Sequence, residues 1–247
     1  MGRETQGLSR GVVPLERAYE LMRARFGHQH WWPGETPFEV CVGAILTQQT
    51  SWKGVERAMA NLKKGGVLDA ATLYALPEPE LAALIRPAGF LNLKARRLRA
   101  FLRLLIEDCE GDLARVFAGG PEAARQRLLG THGIGPETAD CMLLYAGGIP
   151  RFVIDAYTRR VFARHGWAAE RASYQDLQSL CEGELGRRPD RVDYWGDYHA
   201  QIVAVGKAHC HAREPDCDRC PLRPLLPGAG PKSRLLCGGR SLISPHE

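Results

Sequence analysis

The sequence predicts an all-α protein, and three observations carry that prediction. Nearly every apolar periodicity repeats at helical spacing. Proline and glycine break the chain at short intervals, as at Pro77, Pro87, Gly89, Gly119, Gly148 and Gly166. No segment alternates for long enough to found a sheet; the best candidate, residues 151–154, is too short.

Taken in order, residues 14–26 place Leu15, Ala18, Tyr19 and Met22 on one helical face, and residues 38–46 are apolar enough to be a buried helix. Residues 93–106 put Leu98, Phe101, Leu102, Leu105 and Ile106 on one side and Arg96, Arg99 and Arg103 largely on the other. A helix through residues 124–129 then leads into Gly133-Ile134-Gly135. Pro136 fits the first position of the next helix, where its missing N–H costs little, and Ala139, Met142, Leu143 and Ala146 form the stripe behind it. This is the pattern of a helix–hairpin–helix. Both glycines are read as supplying backbone angles closed to other residues and letting another backbone come close. The turn points backbone N–H groups outward at a helix start, where a phosphate can sit. The plainer reading is a tight turn between two core helices. His132 stands in the same turn, against DNA or facing solvent. After Val153-Ile154 comes Asp155, an N-cap residue type opening a helix that Gly166 closes.

Net charge is +5 over 247 residues, with 25% charged and 45% hydrophobic residues. The balance permits a polyanionic partner without demanding one. Of the 33 basic residues only six are lysine, and none of these lies in residues 129–155. No apolar run approaches the roughly 20 residues of a membrane helix, and the first ten residues lack a signal-peptide core. The expected location is the cytoplasm, at the nucleoid, where thiols stay reduced. The eight cysteines are then metal-bound or free, not a disulfide framework. Cys41, Cys109, Cys141 and Cys181 lie in apolar helical surroundings and read as buried thiols. Cys210, Cys217 and Cys220, spaced C-x6-C-x2-C in a charged loop, read as metal ligands. Zinc completed by His209 or His211 is one arrangement those residue types allow.

Several segments together carry a family resemblance. Residues 38–52 include Ile45-Leu46-Thr47-Gln48-Gln49-Thr50. Residues 85–95 include Gly89-Phe90-Leu91-Asn92-Leu93-Lys94-Ala95. The hairpin and Asp155 follow in order. Over residues 15–225 the chain resembles the endonuclease III superfamily of DNA repair glycosylases. The resemblance implies a two-lobed helix–hairpin–helix fold with a C-terminal iron–sulfur loop. One lobe, 38–149, is a helical barrel ending in the hairpin. The other joins 1–37 to 150–237 and carries the cluster, and 238–247 is a flexible tail. Double-stranded DNA containing damaged bases would lie across the cleft, bound by a monomer. Gly133, Ile134 and Gly135 would hold its backbone, and Gln48 or, preferably, Gln49 would fill the gap left by a flipped base.

The resemblance also implies chemistry. Bifunctional members carry a Schiff-base lysine two residues after the second hairpin glycine; here that residue is Glu137, so strand-cleaving lyase activity should be absent or weak. The Trp31-Trp32-Pro33 cluster and Trp52 resemble the bacterial 3-methyladenine DNA glycosylase branch, in which aromatic rings sandwich the extracted base, although core packing would also use such residues. Asp155 would stabilise the cation growing on the sugar and orient water. Glu137 is either a second catalytic carboxylate or a first-turn acid favoured by the helix dipole. The family's cluster has four cysteine ligands. Cys210, Cys217 and Cys220 match three, the fourth position falls at Leu226, and Cys237 is the next cysteine, beyond sixteen intervening residues. The expected cofactor is a [4Fe–4S] cluster on Cys210, Cys217, Cys220 and Cys237, with zinc as the alternative. Arg213, Arg219 and Arg223 would make the loop a phosphate-contacting patch. The function implied is a monofunctional glycosylase for alkylated purines. The alternatives are an oxidised-pyrimidine glycosylase with lyase activity and a damage-binding protein without catalysis.

Overall fold

The computed structural model describes residues 13–186, 188–228, 230 and 231. Among them every regular element is helical. They divide into two compact units: Trp32–Val153 form one, and the chain up to Trp31 together with the chain from Ile154 forms the other. The divisions fall at 31/32 and 153/154, and the first separates Trp31 from Trp32.

The Trp32–Val153 unit is built around α2 (Pro37–Leu46). Thr36 caps it by accepting from Glu39 N, and Pro37 takes a first-turn position. Every residue from Glu39 to Leu46 is buried, so the helix is apolar on all sides and sits inside the unit. It packs against α3 (Trp52–Lys64), α6 (Leu91–Arg103) and α9 (Pro136–Cys141). Two short helices, α4 (Ala70–Ala75) and α5 (Glu78–Leu84), pack on α6. The helix expected over 93–106 begins earlier and ends at Arg103, where the chain widens into a π-helical turn over Leu104–Asp108. A second such turn, Met142–Ala146, continues α9. Both keep their leucines buried, so the apolar stripe survives the change of pitch.

After α7 (Leu113–Val116), α8 (Pro121–Leu129) and α9 make the hairpin. The fork of Arg125 grips Asp140 in two bonds, Nε to Oδ1 at 2.7 Å and Nη2 to Oδ2 at 3.1 Å. Asp140 is wholly buried and Arg125 nearly so.

In the other unit α12 (Arg191–Ala208) is the central element, with α1 (Leu15–Phe26) and α10 (Ala156–His165) packed on it. α11 (Tyr174–Leu185) packs on α1 and begins with a Ser173/Asp176 capping box. Tyr19 of α1 stacks on Tyr198 with ring centroids 5.5 Å apart and donates to the buried Asp197 at 2.8 Å. At Gly206 a Cβ would overlap the ring of Tyr157, so α10 and α12 approach here as only a glycine permits. Among the described residues no helix is long and apolar enough to cross a membrane.

The Arg125–Asp140 pair yields a stability prediction. Asp140→Ala leaves a buried guanidinium without its carboxylate and should cost about 3–5 kcal/mol in denaturant unfolding. Replacing both residues by apolar ones of similar volume should recover most of that loss.

Candidate DNA-binding and catalytic site

The hairpin turn distinguishes its two glycines. Gly133 has φ +83°, and a Cβ there would overlap the Arg97 side chain, so both backbone and space demand glycine. Gly135 has φ −93° in extended backbone that any residue adopts, which corrects the expectation for it. Nothing lies within 4 Å of where its Cβ would be, so the turn is open at the N-terminus of α9. The Ile134 side chain is buried as the anchor of the turn, whereas His132 is exposed.

The two glutamines after α2 have opposite fates. Gln48 is 2% exposed. Its Nε2 donates to Gly133 O at 3.0 Å and to Thr138 Oγ1 at 2.9 Å, and its Oε1 accepts from Arg97 Nη1. That side chain fixes the hairpin from inside. Gln49 is half-buried with φ +55°, a left-handed backbone that a non-glycine residue rarely holds. Phe90 matches it: φ +45°, 59% exposed, at the start of α6. The two turns touch, since a Cβ at Gly89 would stand 3.7 Å from Thr50 Oγ1 and one at Gly54 only 2.7 Å from Pro87 O. Lys94 ties them together. Its buried ammonium donates to Leu46 O at 2.7 Å and to Ala88 O at 2.6 Å, the carbonyls just before each turn. Sequence reading quoted Phe90 and Lys94 within a motif but gave neither a role. The signal available was a single lysine in a helix whose other basic residues, Arg96, Arg97, Arg99 and Arg103, are all arginine.

Trp32 lies against Gly43 of α2, edge-on to Trp52 at 5.4 Å between centroids and 5.6 Å from Tyr145. It lines two cavities. One, about 220 Å³, has Trp52, Met59 and Val55 as apolar walls and Glu39, Glu56 and Lys63 among its polar groups. The other is small and shared with Thr47, Gln48, Thr138 and Glu137. Glu137, an acid in the first turn of α9, is only 9% exposed. Trp31 belongs to the other unit, where Lys207 Nζ stands 5.8 Å from its ring centroid.

Asp155 caps α10, its Oδ1 accepting from Thr158 N at 2.7 Å and Thr158 Oγ1 at 2.8 Å. An N-cap needs one oxygen. The second, Oδ2, is fully buried, makes no hydrogen bond among the described residues, and faces His199 Nε2 at 3.6 Å. Burial pushes the Asp155 carboxyl upward, but the His199 ring and the Thr158 donors outweigh it and hold it below the ordinary carboxylate value. Sequence reading missed His199. Its only trace was a histidine between Tyr198 and Ala200 within a buried stretch of α12.

The remaining constellation is the cysteine loop. Cys210, Cys217 and Cys220 line one cavity with Arg164, His165, His209 and Leu226. Arg164, 1% exposed, donates Nη1 to Cys210 Sγ at 3.1 Å and to His211 O at 2.6 Å, and Nη2 to Ala212 O at 2.8 Å. Arg160 Nε donates to Cys210 O at 2.6 Å. Three sulfurs around one cavity, with a guanidinium on one of them, suit a cluster of thiolate-held iron. Among the described residues no group of three or more His, Cys, Asp or Glu side chains is placed to hold a metal ion. Arg219 is exposed and pairs with Asp216 at 2.7 Å. Cys237 lies outside the described residues. Cys41, Cys109, Cys141 and Cys181 are all buried.

Hairpin, capped aspartate and cysteine loop together define a DNA-repair fold. The HhH-GPD superfamily of base excision DNA repair proteins matches residues 42–186, and the chain belongs to that family of DNA glycosylases. It is 42% identical over 211 residues to a Methanocaldococcus jannaschii protein classed by name with the DNA repair glycosylases, covering 85% of this chain and 94% of that one. It is 29% identical to the endonuclease III of Bacillus subtilis, covering 76% and 80%. Among solved structures, the 3-methyladenine DNA glycosylase of H. pylori bound to 1,N6-ethenoadenine superposes with a TM-score of 0.66 at 25% identity, covering 77% and 97%. A trapped endonuclease III–DNA covalent intermediate superposes at 0.72 with 24% identity, covering 86% and 95%, and so shares the fold.

Lys94 sets a pH dependence. Burial first, and Arg97 second, lowers its ammonium from 10.5 to about 8. Between these values the unfolded chain binds the proton and the folded chain does not, so this residue's contribution to stability rises with pH. Urea unfolding of wild type and Lys94→Met should show the difference moving in favour of wild type from pH 8 to about 10.5.

Proposed function

We propose that this DNA glycosylase is monofunctional and removes alkylated purines, hydrolysing the N-glycosidic bond and leaving the strand intact. The observation that carries the reading is Glu137. At the hairpin position where bifunctional relatives hold their amine, this chain has a carboxylate lining a cavity with Trp32. A carboxylate forms no Schiff base. What it does supply, beside an aromatic face, is a surrounding that favours a positively charged base.

Each side chain then has a task. The open hairpin backbone around Gly133 and Gly135 takes a phosphate of double-stranded DNA. Gln49, with Phe90 beside it, enters the space the flipped nucleotide leaves; both backbones are already held in a costly conformation for that purpose. Trp32 and Trp52 offer electron-rich rings to a cationic purine, and the larger cavity between them gives an apolar floor with Glu39 and Glu56 near it. Such a base is a good leaving group, so little acid catalysis is required. The buried second oxygen of Asp155, kept ionised, stabilises the oxocarbenium character developing at C1′ and orients the attacking water. Cys210, Cys217 and Cys220, with Cys237 as the expected fourth ligand, would hold a [4Fe–4S] cluster; when bound it would cross-link the loop that carries Arg213, Arg219 and Arg223 toward DNA.

The test is release of free 3-methyladenine from methylated duplex DNA. Wild type should release it, and Asp155→Asn should lower the single-turnover rate by about 10²–10³-fold or more. Borohydride should trap no enzyme–DNA adduct. An adduct would overturn the monofunctional reading, and a wild type that releases no base while still binding damaged duplex would overturn catalysis altogether.

A further inference from the structure

We infer that Arg97 is a phosphate-binding group beside the hairpin, its guanidinium taking a phosphodiester oxygen of duplex DNA; this rests on the reading of Gly133 and Gly135 as the DNA-backbone site. The hairpin has no cation of its own: residues 128–150 contain neither lysine nor arginine, and they carry Glu137 and Asp140. Backbone N–H groups there supply only partial charge. Arg97 comes to the turn from α6, three residues after Lys94, and is half-buried. Its side chain runs against the turn. A Cβ on Gly133 would overlap its Cγ and stand 2.8 Å from its Cδ and 3.0 Å from its Nε.

The fold leaves this charge unbalanced. Among the described residues its hydrogen bond is from Nη1 to Gln48 Oε1, a neutral amide. Its Nε is buried without a partner. No carboxylate of the described residues pairs with it, and burial holds the guanidinium below the ordinary arginine value. Arg125, in the same hairpin region, contrasts with it by gripping the Asp140 carboxylate in two bonds. Arg97 also repels its neighbour, since its charge is the second cause of the lowered Lys94 ammonium. Two cations thus stand close together with no carboxylate of the described residues paired to either. A partly desolvated cation without a counter-charge is costly to keep inside a fold. The cost falls once a polyanion docks, and the planar fork of arginine suits phosphate oxygens.

The experiment follows binding of the full chain to a duplex carrying a tetrahydrofuran abasic analogue, by fluorescence anisotropy across a salt series. Arg97→Gln should weaken binding and reduce the slope of log K against log salt by about 1, the signature of one lost phosphate contact. Arg97→Lys, which keeps the charge, should keep the wild-type slope. A side chain that only braces the fold would change the melting temperature and leave the slope alone. A folded Arg97→Gln with the wild-type slope would therefore overturn the proposal. If that variant does not fold, Arg97→Leu combined with Gln48→Met removes both ends of the internal bond and carries the same measurement and the same expectation. Wild-type protein whose duplex binding is indifferent to salt would instead overturn the reading of the hairpin as a DNA-backbone site.

Discussion

Two buried cations whose partners are backbone carbonyls hold the loops of this protein in place. Removing a charge from water is expensive, and the cost is usually met by a carboxylate. Among the described residues neither Lys94 nor Arg164 has one. Lys94 is satisfied by Leu46 O and Ala88 O, the first at the negative end of α2. Arg164 donates through Nη1 and Nη2 to His211 O, Ala212 O and the sulfur of Cys210, while its Nε is buried without a hydrogen-bond partner among the described residues. A carbonyl partner has a structural consequence that a carboxylate lacks: the cation fixes main chain. Lys94 therefore sets two turns at once, and Arg164 sets the course of the cysteine loop.

Within each unit the chemistry-bearing residues hang from these fixed points. In the Trp32–Val153 unit, the Lys94 clamp comes just before Gln49 and Phe90, the two non-glycine residues held in left-handed backbone beside each other. Gln48, between clamp and turn, points inward and binds the hairpin. In the other unit a single helix, α10, starts at the buried carboxylate of Asp155 and carries Arg160 and Arg164 further along. The same rigid rod thus supports the acid at its beginning and grips the cysteine loop through Cys210 from its later turns.

Much of this was legible in the sequence, and what was not has a common cause. Helical period, proline placement and capping residues gave α1 and α2 within a residue and the end of α8 at Leu129, though its start three residues late, because those signals are local. The end of α6 was not foreseen, since a widened turn preserves the apolar stripe that periodicity detects. The glycines were read alike although only Gly133 needs to be one; φ depends on what stands opposite, here Arg97. Gln48 was grouped with Gln49 because burial of a polar side chain depends on partners 85 and 90 residues away. His199 escaped notice for the same reason: nothing near it in the chain announces Asp155. Family resemblance could name the motifs, but only packing could sort inward from outward residues within them.

Gly133, Arg97 and Gln48 close a circuit. The bare Cα of the glycine leaves room for the arginine, the arginine donates to the glutamine, and the glutamine donates back to the glycine's carbonyl. Three distant stretches of chain are thereby bound into one unit of inheritance. A hairpin transplanted into another scaffold without its glutamine and arginine would arrive without its internal brace. Lineages that alter one member of the trio would have to revise the other two.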